Sequence, residues 1–202
     1  ILEPYFCRFV SLGMAGASPA ELQALGREAE HAMLTATGGV NTHKGALYSF
    51  ALLLSALGRS LTEGGDPFHT AAAIADALPP ASGTHGSTVR AQCSGVRQEA
   101  ISGFPTARHM RELLSRSGAL AALTWSMSRL DDSTLVYRGG PEGLRYVQQA
   151  ASALLALPEN ALAPALEALD DDLIARHLSP GGSADLLSLA LFLDAAAPET
   201  WL

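Results

Sequence analysis

The sequence predicts an all-α protein, and three observations lead to that prediction. Ala and Leu are abundant while Val and Ile are sparse, a balance that favours helix over strand on intrinsic propensity. Capping signals such as Ser18-Pro19-Ala20-Glu21 introduce apolar runs with helical spacing. Glycine and proline end these runs, and no fixed repeat period is present. We therefore expect one helical catalytic domain over residues 1–202, with roughly ten helices and short connections.

The first part of the chain is expected to contain four helices. The first covers residues 1–12, and the second runs from Pro19 to about residue 35. The third is expected within the stretch 38–57, which begins with two glycines. Asp66 caps the fourth, which extends over about 67–78 until two prolines end it.

The second part shows helical runs separated by polar turns. After a mixed segment that includes Arg97 and Glu99, a turn at 103–105 is expected. Helices are then predicted over about 106–116, 119–129, 141–157 and 158–169, and from the stretch 179–185 to just before Pro198. Residues 130–140 are interpreted as a polar turn, and Asp170-Asp171-Asp172 as the start of a short separate segment.

Charge and cysteine content exclude several classes of protein. The net charge of −7 argues against nucleic-acid binding, although local Arg and Lys can still hold a small polyphosphate. Cys7 and Cys93 lack metal-ligand spacing, which favours a cytoplasmic setting without disulfides. The longest apolar run, between Lys44 and Arg59, is too short for a membrane span. Ile1 is an unusual first residue, so we expect an upstream segment.

The stretch 38–57 has the strongest local signal for chemistry. Two glycines lead into Asn41-Thr42-His43-Lys44-Gly45 and then into an apolar helix, so backbone N–H groups and the helix dipole favour an anion there. Lys44 is the only lysine in a chain that otherwise uses arginine. On composition alone, a plain helix cap at Asn41 or Thr42 explains the pattern equally well.

Besides the stretch 38–57, three segments rich in polar residues and glycine lie at predicted helix ends. These polar islands are residues 95–105, 131–140 and 179–185. Their carboxylates could bind Mg²⁺ together with substrate phosphates, and Lys44, Arg97 and Arg138 could neutralise those phosphates. The combination is typical of a metal-nucleotide site, although no Walker pattern is present. Each island also has a structural interpretation: a solvated turn for Asp131 and Asp132, and a helix cap for Ser183 with Asp185.

Five blocks in this chain resemble the triphosphoribosyl-dephospho-coenzyme A synthases. The blocks occur in the family's order. They are Asn41-Thr42-His43-Lys44-Gly45, Thr84-His85-Gly86, the run from Gly95 to Pro105, the run from Asp132 to Gly140, and Ser179-Pro180-Gly181-Gly182-Ser183-Ala184-Asp185. The resemblance implies an all-helical enzyme that joins ATP to 3′-dephospho-CoA and releases adenine. The product is the prosthetic-group precursor for malonate decarboxylase or citrate lyase, and the Ala-, Leu- and Arg-rich composition favours the first of these.

The resemblance also implies roles for particular residues. Asp132 and Asp185 would bind Mg²⁺ or stabilise charge on the ribose, and His43 or Glu99 would act as acid or base. The remaining positions would bind the nucleotide substrates: Asn41, Thr42, Lys44, Gly45, His85, Arg97, Arg138, Gly139, Gly140, Gly181, Gly182 and Ser183. An acyl carrier protein transferase is the implied downstream partner, and the oligomeric state, a homo-oligomer included, stays open.

The chain departs from the family pattern at two places. The family commonly has Asp-Thr-Asn where this chain has Asp132-Ser133-Thr134, which puts the contact of Thr134 in question. Family members also carry an upstream Lys-Pro-Gly-Leu-Val-Asp segment that is absent here. Two alternatives therefore stay beside the transferase: a metal-dependent nucleotide glycohydrolase and a non-catalytic helical nucleotide-binding protein.

Overall fold

The computed structural model describes residues 1–79 and 93–196, and all regular structure within these ranges is α-helical. The all-α prediction is confirmed. The helices, numbered in chain order, are α1 (Glu3–Met14), α2 (Pro19–Ala36), α3 (Lys44–Glu63), α4 (Pro67–Ala77), α5 (Gly95–Ile101), α6 (Pro105–Met127), α7 (Ser133–Leu154), α8 (Glu159–Ala175) and α9 (Gly181–Ala196). The predicted block around His85 lies outside the described residues.

The described residues form two compact units. The first takes residues 1–79 and 97–104, and the second takes 93–96 and 105–196. Each unit has its own buried apolar side chains. The expected organisation as one domain stays a prediction.

In the first unit, α3 packs against α1, α2 and α4. Two glycines allow α1 and α3 to touch through their backbones. A Cβ on Gly13 would lie 2.0 Å from the Ser55 carbonyl oxygen, and one on Gly58 would lie 2.1 Å from that of Val10. Because neither carbonyl can move away without disturbing its helix, glycine at both positions is needed for α1 and α3 to pack this closely.

The helices before and after α3 in the chain, α2 and α4, begin at capping residues that the sequence predicted. The Ser18 hydroxyl accepts from the backbone N–H of Glu21, and the Glu21 carboxylate accepts from that of Ser18 at 2.8 Å. The predicted capping box is confirmed, and it lowers the pKa of Glu21 through its hydrogen bonds to Ser18. Asp66 accepts from the N–H of Phe68 at 2.9 Å and caps α4 as predicted.

In the second unit, α6 packs against α7, α8 and α9. Two glycines with left-handed φ interrupt long helices, Gly118 (φ 77°) in α6 and Gly140 (φ 64°) in α7. These breaks confirm the predicted boundaries between 116 and 119 and before Pro141. A core around Leu135, Val147 and Leu173 joins α7 to α8.

Two predictions for this unit are wrong. Residues 133–139, interpreted as a polar turn, are the first turns of α7, because Asp132 caps a helix whose Leu135 and Val136 are buried. Asp170-Asp171-Asp172 does not start a new segment but lies inside α8. Buried Leu169 and Leu173 keep the helical face continuous through the acidic run, and the Asp172 carboxylate pairs with Arg176 at 2.8 Å.

Within the described ranges, no helix is long and apolar enough to cross a membrane.

Candidate functional site

The turn before α3 is built by its own polar side chains. The Asn41 Oδ1 atom accepts from the backbone N–H of Lys44 at 3.1 Å, and the His43 Nδ1 and Thr42 Oγ1 atoms are 2.7 Å apart. Asn41, Thr42 and His43 are all exposed. The N-cap residue of α3 is His43, which makes no side-chain capping bond, so neither Asn41 nor Thr42 is the N-cap; Asn41 instead binds the first N–H of the helix. His43 keeps a solvent-accessible ring at the helix end.

Backbone donors lie at the same helix end. The first helical bond of α3 runs from the N–H of Leu47 to the carbonyl of His43. Because the N–H groups of Gly45 and Ala46 precede it, they have no acceptor within the helix. Together with the helix dipole they favour a bound anion in this place.

Lys44, the first residue of α3, forms an ion pair with Glu30 of α2. The Lys44 and Glu30 side chains are 36% and 29% exposed, so the pair is partly desolvated. The ammonium has three donors, and Glu30 takes one of them. Lys44 is therefore held in place and still has donors for a ligand.

Arg97, at the third position of α5, lies beside Tyr48, one turn along α3 from Lys44. Burial raises the pKa of Tyr48, and the positive charge of Arg97 opposes that shift. The Arg97 Nη2 atom also donates to the Asp76 carbonyl at 3.3 Å. The first unit thus brings two predicted phosphate-binding cations, distant in sequence, to the first two turns of α3.

Glu99 is half-buried on α5, and its carbonyl accepts from the N–H of Phe104 at 2.9 Å. Phe104 is fully buried with a left-handed φ of 56°, and Gly103 before it has φ 78°. The Gly103-Phe104-Pro105 part of the block is therefore explained by the turn that ends α5. Glu99 remains a candidate acid or base.

In the second unit, Asp132 joins the starts of two helices. Its Oδ1 atom accepts from the N–H groups of Thr134 at 2.8 Å and Leu135 at 3.4 Å, at the start of α7. Its Oδ2 atom accepts from the N–H of Ser183 at 3.2 Å, at the start of α9. A Cβ on Gly182 would lie 3.0 Å from this carboxylate. The predicted residues Asp132, Gly182 and Ser183 therefore do meet, and they meet as a double cap.

Asp132 is 2% exposed, and this geometry suits backbone capping better than metal binding. Burial raises the pKa of Asp132, while backbone hydrogen bonds from Thr134, Ser183, Leu135 and Gly182 oppose the shift. Mg²⁺ needs oxygen ligands with free lone pairs in octahedral directions, whereas both Asp132 oxygens accept from main-chain donors. Among residues 1–79 and 93–196, no three His, Cys, Asp or Glu side chains cluster as a metal site. The described residues do not fit a Mg²⁺ site centred on Asp132.

Asp131 also binds a helix start. Its Oδ2 atom accepts from the N–H of Ser94 at 2.6 Å and from the Ser94 hydroxyl at 2.9 Å, directly before α5. Next to Ser94, burial and the charges of Asp131 and Asp132 raise the pKa of the Cys93 thiol to about 11. The two adjacent aspartates thus accept hydrogen bonds at the starts of three helices, α5, α7 and α9.

The predicted nucleotide-binding run Arg138-Gly139-Gly140 lies inside α7. Arg138 is exposed. A Cβ on Gly139 would lie 2.4 Å from the Leu178 Cδ2 atom, and Gly140 forms the helix break with a left-handed φ. Packing and backbone conformation therefore explain both glycines.

Gly181 lies against Thr134, and Asp185 is half-buried on α9. Binding roles for these residues stay predictions.

Sequence reasoning did not single out Glu30 or Tyr48. Tyr48 had an available signal, since it follows Lys44 by one turn on a predicted helix. Glu30 had none, because its contact with Lys44 depends on how the chain reverses between α2 and α3.

We expect Tyr48→Phe to stabilise the protein by about 1 kcal/mol, because a buried hydroxyl without a partner costs roughly 1–3 kcal/mol. Among the described residues, no group reaches hydrogen-bond geometry at the buried Tyr48 hydroxyl, although the Arg97 guanidinium lies beside it. Urea denaturation measures the change. A lower free energy of unfolding in the variant would mean that the hydroxyl is bonded in solution, and Tyr5→Phe, at a residue outside α3, is the control.

Comparisons with known proteins show the family of this chain. The family model for ATP:dephospho-CoA triphosphoribosyl transferase (CitG) matches residues 1–201. The 2-(5''-triphosphoribosyl)-3'-dephosphocoenzyme-A synthase of Klebsiella pneumoniae is 38% identical, over 96% of this chain and 76% of that protein. The synthase of the same name from Haemophilus ducreyi is 33% identical, over 95% and 73%.

The fold also has a counterpart among solved structures. A crystal structure from Archaeoglobus fulgidus, assigned as a triphosphoribosyl-dephospho-coA synthase, aligns with a TM-score of 0.64 at 17% identity. The alignment covers 98% of this chain and 97% of that one. At this identity the likeness shows the shared all-helical fold. From the family model and the two relatives, this chain belongs to the ATP:dephospho-CoA triphosphoribosyl transferase family of enzymes.

Proposed function

We propose that this protein joins ATP to 3′-dephospho-CoA and releases adenine. The 2′-hydroxyl oxygen of the dephospho-CoA ribose attacks C1 of the ATP ribose and forms the new C–O bond. The bond between C1 and N9 of adenine breaks, and its electron pair leaves with the base. The hydroxyl proton is lost to a base, and adenine gains one proton, so no water or redox partner is consumed.

The observation that carries this proposal is the placement of two cations, Lys44 of α3 and Arg97 of α5, at the first two turns of α3. The triphosphate must be bound and yet left uncleaved, since the reacting bond lies at the other end of the nucleotide. Fixed positive charges and N–H donors suit that task, because they hold phosphate oxygens without supplying a nucleophile. Lys44, Arg97 and the N–H groups of Gly45 and Ala46 provide such donors within the first unit.

His43 and Glu99 are the proposed proton carriers. An exposed imidazole next to the cationic helix end and a half-buried carboxylate on α5 are both side chains of the types that transfer protons in enzymes. Which of them receives the hydroxyl proton stays open. A divalent cation that arrives with ATP would take its ligands mainly from phosphate and water, and no step here depends on one.

The product would serve as the prosthetic-group precursor of malonate decarboxylase or citrate lyase. A transferase would then pass it to the acyl carrier protein. We place this reaction in the cytoplasm, in line with two cysteines that form no disulfide.

The test is to incubate the protein with ATP, Mg²⁺ and 3′-dephospho-CoA and to follow adenine by chromatography. We expect adenine release that requires the acceptor, with a label on the γ-phosphate recovered in the CoA-containing product. The matched control is 2′-deoxy-3′-dephospho-CoA, which lacks the attacking hydroxyl and should abolish release. Release without any acceptor would indicate a glycohydrolase. ATP binding without release would indicate a nucleotide-binding protein instead.

A further inference from the structure

The ion pair between Glu30 and Lys44 connects two helices next to the polar turn. Glu30 lies in the second half of α2, and Lys44 is the first residue of α3. The chain between them is fixed by its own hydrogen bonds, from the N–H of Gly39 to the Leu34 carbonyl at 2.7 Å and from the Thr37 hydroxyl to the Met33 carbonyl at 2.9 Å. The Glu30 carboxylate is therefore held at a defined place beside the start of α3.

We propose that Glu30 is a positioning residue for the transfer reaction. It holds the Lys44 ammonium against the helix end, so that the two remaining N–H donors face a bound triphosphate. Lysine has a long flexible side chain, and an unrestrained ammonium would occupy many rotamers. The role rests on the proposed function, since it assumes that Lys44 binds the triphosphate during adenine displacement.

A second ion pair on the same helix provides a matched comparison. Glu28 pairs with Arg8 of α1 at 2.9 Å, with side chains 54% and 53% exposed. Both pairs join a glutamate of α2 to a cation of a neighbouring helix, but of the two glutamates only Glu30 contacts a cation at the α3 helix end. Surface ion pairs contribute little to stability, so neither Glu→Gln change is expected to alter the fold.

Glu30 has two opposing effects on a bound anion. Its charge repels the triphosphate, whereas its contact with Lys44 orients a cation toward it. Replacement by glutamine removes the repulsion and leaves only a weaker, neutral acceptor for the ammonium, so the two changes oppose each other and the Michaelis constant for ATP should change little. The ammonium is then less firmly oriented during turnover, and misplaced groups slow reactions strongly, so kcat should fall about tenfold. A purely structural ion pair would not divide its effect in this way.

The experiment measures acceptor-dependent adenine release by the wild type, Glu30→Gln, Glu28→Gln, Lys44→Ala and the double variant Glu30→Gln/Lys44→Ala. We expect a lower kcat for Glu30→Gln, a normal kcat for Glu28→Gln, and the same kcat for the double variant as for Lys44→Ala alone. Circular dichroism checks that all five proteins are folded.

Three results would overturn the role of Glu30 while leaving the proposed function intact. These are an unchanged kcat for Glu30→Gln, an equal loss for Glu28→Gln, or a further loss when Glu30→Gln is added to Lys44→Ala. A wild-type protein that releases no adenine with the acceptor would instead overturn the proposed function, and with it the role of Glu30.

Discussion

Lys44→Ala is expected to lower kcat/KM for ATP by about 100-fold, a loss of ~2.7 kcal/mol in transition-state stabilisation. The ammonium is the first side-chain charge of α3, and Glu30 holds it there. Without it, the triphosphate loses a charge-assisted contact, and the ribose is less well placed for attack. Steady-state kinetics with varied ATP measures the change.

The fold should be unaffected by this substitution. The Lys44–Glu30 pair is about one-third exposed, and pairs of that kind contribute roughly 0–1 kcal/mol to stability. Circular dichroism should therefore show the same helix content as the wild type. Arg8→Ala, which breaks the other ion pair of α2, is the control and should retain activity. Near-normal turnover by Lys44→Ala would remove Lys44 from the site.

Asp132→Ala is expected to lower the free energy of unfolding by about 3 kcal/mol, because each buried donor left without an acceptor costs roughly 1–3 kcal/mol. The fully buried carboxylate accepts main-chain bonds at the starts of both α7 and α9. Alanine leaves these donors unpaired and removes the cap of α7. Urea denaturation of the purified protein measures the loss.

Asp131→Ala is the matched control for Asp132. Among the described residues, Asp131 binds the exposed Ser94, so we expect a loss of about 1 kcal/mol. Equal stability of the wild type and Asp132→Ala, combined with a changed Mg²⁺ requirement, would contradict the capping role. It would also restore the prediction that Asp132 binds a metal.

Local signals in the sequence predicted much of the fold. The capping box at Ser18, the cap at Asp66 and the glycine breaks at Gly118 and Gly140 were all readable, since each depends on neighbouring residues. The start of α7 was missed because Asp132-Ser133-Thr134 has turn-like composition, and only the burial of Leu135 and Val136 shows that a helix follows. Tertiary packing decided the structure there.

The candidate site was predicted less completely than the fold. Block by block, the resemblance identified Lys44, Arg97 and Asp132, but it could not separate ligand contacts from structural ones. Capping by Asp132 and packing of Gly139 against Leu178 appear only in three dimensions. The contact of Glu30 with Lys44 depends on the chain reversal after α2, for which the sequence offers no spacing rule.

The main-chain contact at Thr134 bears on how this family can diverge. Asp132 uses the backbone N–H of residue 134, and the Thr134 side chain lies against Gly181. Every amino acid except proline supplies that N–H. The capping hydrogen bond therefore forms with any other residue at position 134. The resemblance implies Asn at this position, and an exchange between Asn and Thr would leave the cap in place without a compensating change elsewhere.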